Sequence, residues 1–163
     1  NRGDSYPNTI NARYGGTNSP FSLASFVRKA QLANYEAHRA LYEGRLAKVF
    51  KGSTAALLWM SNPAQPSTTW QIYSHDLEPF ASFFGVRKAC EPVHVQMNQN
   101  DFHVMVINNT PQPLDGLQSR VRVCNLDGTL KHDRTTPVTA AAGAASGADS
   151  GLPRGTQSSQ EAT

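Results

Sequence analysis

The first third of the chain has a helical rhythm. Leu23, Phe26, Val27, Ala30, Ala33, Ala37, Leu41 and Gly44 recur at spacings of three and four, which puts them on one stripe of a 3.6-residue helix. Arg28, Lys29, Glu36, Arg39, Glu43 and Arg45 fall on the other side. Ser19 suits an N-cap and Pro20 the first helical position. The pattern predicts a long amphipathic helix over 22–50, stopped by Lys51-Gly52. Residues 1–18, carrying Gly, Pro, Asn and Ser, read as irregular. After the helix, "STAALLWM" (53–60) is a short uninterrupted apolar run, as expected of a strand buried on both faces. A helix followed by a buried strand is half of an α/β repeat. Beyond the loop at 61–70, a second helix is expected over 76–84, with Gly85 ending it.

From Glu91 the period changes. "VHVQM", "FHVMVIN", "LQSRVRVCN" and "TLKHD" are short runs separated by turn residues. In the third, Leu117, Ser119, Val121 and Val123 alternate with Gln118, Arg120 and Arg122. Such spacing predicts antiparallel strands of a β-sandwich. About four strands fit, too few to close a sandwich of about seven. The segment from Pro137 is rich in Ala, Gly, Ser and Thr, and reads as a disordered tail that cannot bury enough surface to offset its ordering entropy. The expected fold class is therefore α/β followed by all-β, in a chain that reads as a piece of a larger protein.

Charge and motifs remove several functions. A formal charge of +3, with no basic run longer than Arg87-Lys88, argues against nucleic acid. No apolar stretch reaches the roughly 18 residues of a membrane span. No glycine-rich phosphate loop or Gly-x-Ser-x-Gly elbow is present, and nothing calls for a cofactor. Cys90 and Cys124 allow one disulfide or two free buried thiols. Arg2-Gly3-Asp4 matches an adhesion tripeptide that recurs easily by chance. Asn108-Asn109-Thr110 is a glycosylation sequon, which has meaning only in a secreting eukaryotic host. His94 and His103, on adjacent predicted strands, lack metal-site spacing and read as structural, so no metal is expected. Glu36 and Glu43 share a helix face but stand roughly 10 Å apart along the axis, against about 5–5.5 Å for a retaining glycosidase pair. Pairing with Arg39 and Arg45 is the simpler account.

Trp59, at the end of the apolar run, leaves two readings open. An indole there is either core or a platform for the C–H face of a sugar, with Asn62 three residues on to bond hydroxyls.

"KAQLANYEAHRALYEG", "WMSNPAQPSTTWQIY" and "FFGVRKACEPVHVQMN", followed by "VINNT" and "NLDGT", resemble the late part of glycoside hydrolase family 2. The resemblance runs from about Ala12 to Asp133 and is to the branch of exo-β-D-glucosaminidases and mannosylglycoprotein endo-β-mannosidases. It implies a C-terminal fragment. Residues 1–90 would be the last helix and strand of a TIM (β/α)8 barrel, 91–136 the beginning of an immunoglobulin-like β-sandwich, and 137–163 a low-complexity tail. It also implies that Trp59 forms a wall of the substrate subsite. Asn62, from its amide chemistry, and Trp70 complete the candidate substrate-binding residues.

The branch pattern differs at Gln65, where it has a tryptophan, and at Ser74, where it tends to have an aspartate. The two catalytic glutamates of the family belong to earlier barrel strands, and Glu36, Glu43, Glu78 and Glu91 match neither. The resemblance thus implies a retaining β-glycosidase for β-linked glucosamine or mannose-type glycans, of which this chain holds no catalytic residue. Its partners would be the carbohydrate and the remainder of the parent chain. The compartment stays open, a secreted or periplasmic one being compatible. The rival reading is a non-catalytic carbohydrate-binding or structural module, with Trp59 and Trp70 on a sandwich surface.

Overall fold

A computed structural model describes residues 5–16, 22–49, 51–67, 71–99 and 101–149. The chain divides into two compact units, one of Asn1–Tyr42 and Leu57–Ala89, the other of Glu43–Ala56 and Cys90–Thr163.

The first unit is helical. Helix α1 spans Ser5–Tyr14, where the sequence reading expects irregular chain. Its pattern is weak, and tertiary bonds hold it instead. Ile10 is buried, and the Arg13 guanidinium and Tyr14 hydroxyl each donate to Glu36 Oε2 at 2.6 Å. Helix α2 spans Leu23–Leu46, shorter than expected at its C-terminal end. The proposed Ser19-Pro20 cap lies outside the described residues. Ser22 serves as N-cap, its Oγ accepting the Ser25 N–H at 3.3 Å. Past Leu46, bonds from Lys48 to Arg45 and from Val49 to Leu46 tighten the chain into turns. Gly52 then takes φ +99.

Helix α3 covers Ala81–Ala89, with Gly85 buried at its centre rather than ending it. A Cβ at Gly85 would stand 2.4 Å from the Tyr35 carbonyl oxygen. The glycine marks a close approach of α3 to α2, not a helix stop. The Gln31 Oε1 accepts the Ala81 N–H at 2.9 Å and closes the first turn of α3.

No strand forms in the apolar run: residues 54–58 are irregular, and Ser53 makes only an isolated bridge with Val49. A doubly buried strand needs a hydrogen-bonded neighbour, and none stands beside this run among the described residues. Leu57 is 97% exposed.

The second unit is mostly antiparallel sheet. Strands β1 (Val93–Met97), β2 (Val104–Asn108) and β5 (Ala144–Ala148) form one sheet in the order β1-β2-β5, while β3 (Leu114–Cys124) and β4 (Leu130–Ala140) form a second. Val106 pairs with both Val95 and Ser146. Val104, Val106, Val138, Ala140 and Ala148 form the core, with Leu114, Leu117 and Val121 packed against it. The alternation read in β3 holds from Leu117 to Val121, with Ser119 buried while Gln118, Arg120 and Arg122 face solvent, but Val123 is exposed as well.

The tail expected from Pro137 is ordered as far as residue 149. Its first residues complete β4 and the next make β5. Alanines are what the closely packed positions accept: Ala140 and Ala148 lie in the core beside three valines. Low hydrophobicity misled because backbone pairing and small side chains, not bulk, order this stretch. Residues 150–163 lie outside the described residues. Cys90 and Cys124 are free and exposed rather than buried.

Two predictions test this packing. Gly85→Ala should lower stability by about 1–3 kcal/mol through overpacking, seen as an earlier denaturant midpoint by circular dichroism. Gly44→Ala, with nothing within 4 Å of the new Cβ, should be neutral or stabilising; equal losses from both changes would refute the close-contact account. The hydrogen bond and charge of Arg120 hold the Asp133 carboxyl below the ordinary aspartate value. A depressed value means that this pairing supports the fold above the unfolded aspartate value and is lost as pH falls through the folded one. NMR titration should place Asp133 below a free aspartate, and Arg120→Ala should move it back up.

Candidate functional site

The loop after Trp59 is fixed by backbone bonds rather than by a sheet. Met60 takes φ 65 and turns the chain. The Ser61 carbonyl then accepts the N–H groups of both Ile72 (3.1 Å) and Tyr73 (3.0 Å). Ser61 Oγ donates to Asn62 Oδ1 at 3.0 Å. Phe80 N–H reaches the Ile72 carbonyl at 2.9 Å, and Ser82 Oγ donates to the Gln71 carbonyl at 2.8 Å. Ser74 Oγ accepts the Glu78 N–H at 3.1 Å. A side-chain oxygen is all that this turn asks of position 74, and an aspartate would supply one as well. The departure from the branch pattern at Ser74 therefore falls on a turn former.

Trp59 is 81% exposed and is not core of its unit. It belongs to the helical unit and lies on neither sheet, unlike the sandwich-surface reading. With Leu58 and with Ala37, His38 and Leu41 of α2, it lines an open, largely apolar cleft of about 540 Å³. Asn62 is half-buried and is outside that lining. Trp70 lies outside the described residues. His38 was missed because the stripe was read from apolar residues alone; it is buried, with Nδ1 3.0 Å from the Asn34 carbonyl.

The other candidates have structural partners. Glu36 takes Arg13 and Tyr14, and burial, then the Glu36 hydrogen bond and charge, raise the Tyr14 phenol above its ordinary value. Glu43, in the second unit, stands 2.8 Å from His94 Nε2, and Glu91 stands 3.4 Å from Nδ1. The His94 imidazole is thus bracketed by carboxylates and buried. His103 lies instead against Gly147, its ring 2.9 Å from where a Cβ would be. Partial burial raises the Cys90 thiol, against the opposing charge of Arg45, which is the reverse of an activated nucleophile.

Asn108, the sequon acceptor, is fully buried. Its Nδ2 donates to the carbonyls of Gln112, Ala140 and Ala141, and its Oδ1 accepts from Thr110 N–H and Oγ1. The folded chain cannot present it for glycosylation. Arg2-Gly3-Asp4 lies outside the described residues. No helix among those residues is long and apolar enough to cross a membrane.

No protein-family model matches the chain. It is related to carbohydrate-cleaving enzymes, the O-glycosyl hydrolases. It is 40% identical over 141 residues to an exo-β-D-glucosaminidase of Streptomyces avermitilis, covering 85% of this chain and 15% of that protein. It is 37% identical over 113 residues to a mannosylglycoprotein endo-β-mannosidase of Lilium longiflorum, covering 69% of this chain and 12% of the other. A crystal structure of Amycolatopsis orientalis exo-chitosanase CsxA superposes with a TM-score of 0.81 at 33% identity, over 90% of this chain and 18% of that one. A further structure of that enzyme is a complex with PNP-β-D-glucosamine. The resemblance to the glucosaminidase and endo-β-mannosidase branch of glycoside hydrolase family 2 is thus shared with named members of that branch. The chain spans 12–18% of the length of these relatives.

Proposed function

We propose that the chain is the part of a retaining β-glycosidase that supplies a wall of the substrate subsite. In this reading the helical unit closes a (β/α)8 barrel and the sheet unit begins an immunoglobulin-like sandwich. The observation that carries the reading is Trp59: an exposed indole on a loop held by main-chain hydrogen bonds, in a chain 40% identical to an exo-β-D-glucosaminidase. Its negative π face attracts the weakly positive C–H groups of a pyranose, and the amide of Asn62 suits a hydroxyl. The substrate class is a β-linked glucosamine or mannose-type glycan. Leu23 and Val27, left exposed on α2, and Leu57 are apolar surface for the remainder of the parent protein.

In this reading the glutamates among the described residues supply no acid/base pair. Glu36, Glu43 and Glu91 are tied to Arg13, Tyr14 and His94, and Glu78 sits in the turn closed by Ser74. Hydrolysis then depends on carboxylates from elsewhere in the parent.

Purified alone, the chain should give no turnover of p-nitrophenyl β-glucosaminide, and clear turnover would overturn the missing-carboxylate argument. A chimera in which this chain replaces the matching segment of the Streptomyces relative should be active. There, Trp59→Ala should lower kcat/KM by about 5- to 150-fold, or roughly 1–3 kcal/mol, the scale of a lost aromatic contact and its buried area. An unchanged kcat/KM would remove Trp59 from the subsite.

A further inference from the structure

Met60 holds a conformation that its residue type disfavours. At φ 65 it lies in the left-handed region, where its Cβ crowds the backbone and which residues other than Gly, Asn and Asp seldom visit. Such strain persists only where the surroundings over-determine the backbone. Here they do. Ser82 Oγ on α3 holds the Gln71 carbonyl, the next two residues hold the Ser61 carbonyl through their N–H groups, and Ser61 follows Met60 directly. Before Trp59, by contrast, residues 54–58 carry no regular structure. The indole is therefore placed from its C-terminal side, through one residue.

We infer that Met60 is a positioning residue: its left-handed turn sets the direction in which Trp59 presents its ring beside Leu58 and Leu41. The inference rests on the reading of Trp59 as a sugar wall, which gives the strain its use. A residue able to take positive φ at position 60 keeps the presentation, whatever its side chain. A β-branched residue, which resists that region most, loses it.

Two measurements test this. The chain contains two tryptophans, so a Trp70→Phe background leaves Trp59 as its only indole. In that background Met60→Gly should keep the acrylamide quenching constant and emission maximum of the Trp70→Phe chain, and Met60→Ile should shift both. In the chimera, Met60→Gly should hold KM for p-nitrophenyl β-glucosaminide within about twofold, and Met60→Ile should raise it about tenfold with a smaller change in kcat. Should the isoleucine chain fail to fold, Met60→Thr replaces it. Quenching and KM that are alike in the glycine and β-branched variants would overturn the inference. The quenching comparison needs no sugar, so it decides the role of Met60 even if Trp59→Ala shows that the wall reading fails.

Discussion

The carbonyl oxygen of Tyr35 leaves no room for a side chain at position 85, and much of the helical unit follows from that contact. Because residue 85 is glycine, α3 lies against α2 at backbone distance. That proximity lets Gln31 cap α3, whose Ser82 holds the Gln71 carbonyl. Residues 71–73 are thereby fixed, and they in turn hold Ser61. The exposed tryptophan stands at the end of this series of bonds. A loop of Ser, Asn, Pro and Gln would otherwise have little reason to adopt one conformation. Its order comes from main-chain hydrogen bonds to residues ten or more positions away.

The sheet unit relies on buried polar groups in the same way. Asn108 fills all its amide valences with carbonyls at the end of β4 and with Thr110. It joins the end of β2 to the chain leaving β4, a position where an unpaired amide would be costly. His94 does a comparable job on the buried face of β1, meeting Glu43 from the last turn of α2 and Glu91 from the chain just before the strand. These groups look like candidate chemistry in a bare sequence. Their burial and complete pairing make them structural.

Periodicity made the larger elements legible. The stripe on α2 and the alternation in β3 follow directly from burial on one face, so the sequence carries their signal locally. Helix α1 and strand β5 were not legible, because neither has a strong apolar pattern. One is held by Arg13 and Tyr14 reaching Glu36, the other by pairing with β2 and by alanines that fit beside valines. The run ending at Trp59 erred in the other direction: its apolar residues suggested a strand, but a strand exists only where another pairs with it.

Residue types and their spacing suffice to assign the apolar faces of the long helix and of β3, and they carry the likeness to the glycosidases. The remaining assignments came from the folded chain. It showed Gly85 to be a contact rather than a stop, Asn108 to be a buried hub rather than a glycan acceptor, and Trp59 to be exposed on a loop rather than set in a strand. Each of these depends on a group distant in the chain, the Tyr35 carbonyl, the Ala140 carbonyl and the N–H groups of residues 72 and 73. No local pattern encodes such a partner, because the bond exists only once folding has brought the two together.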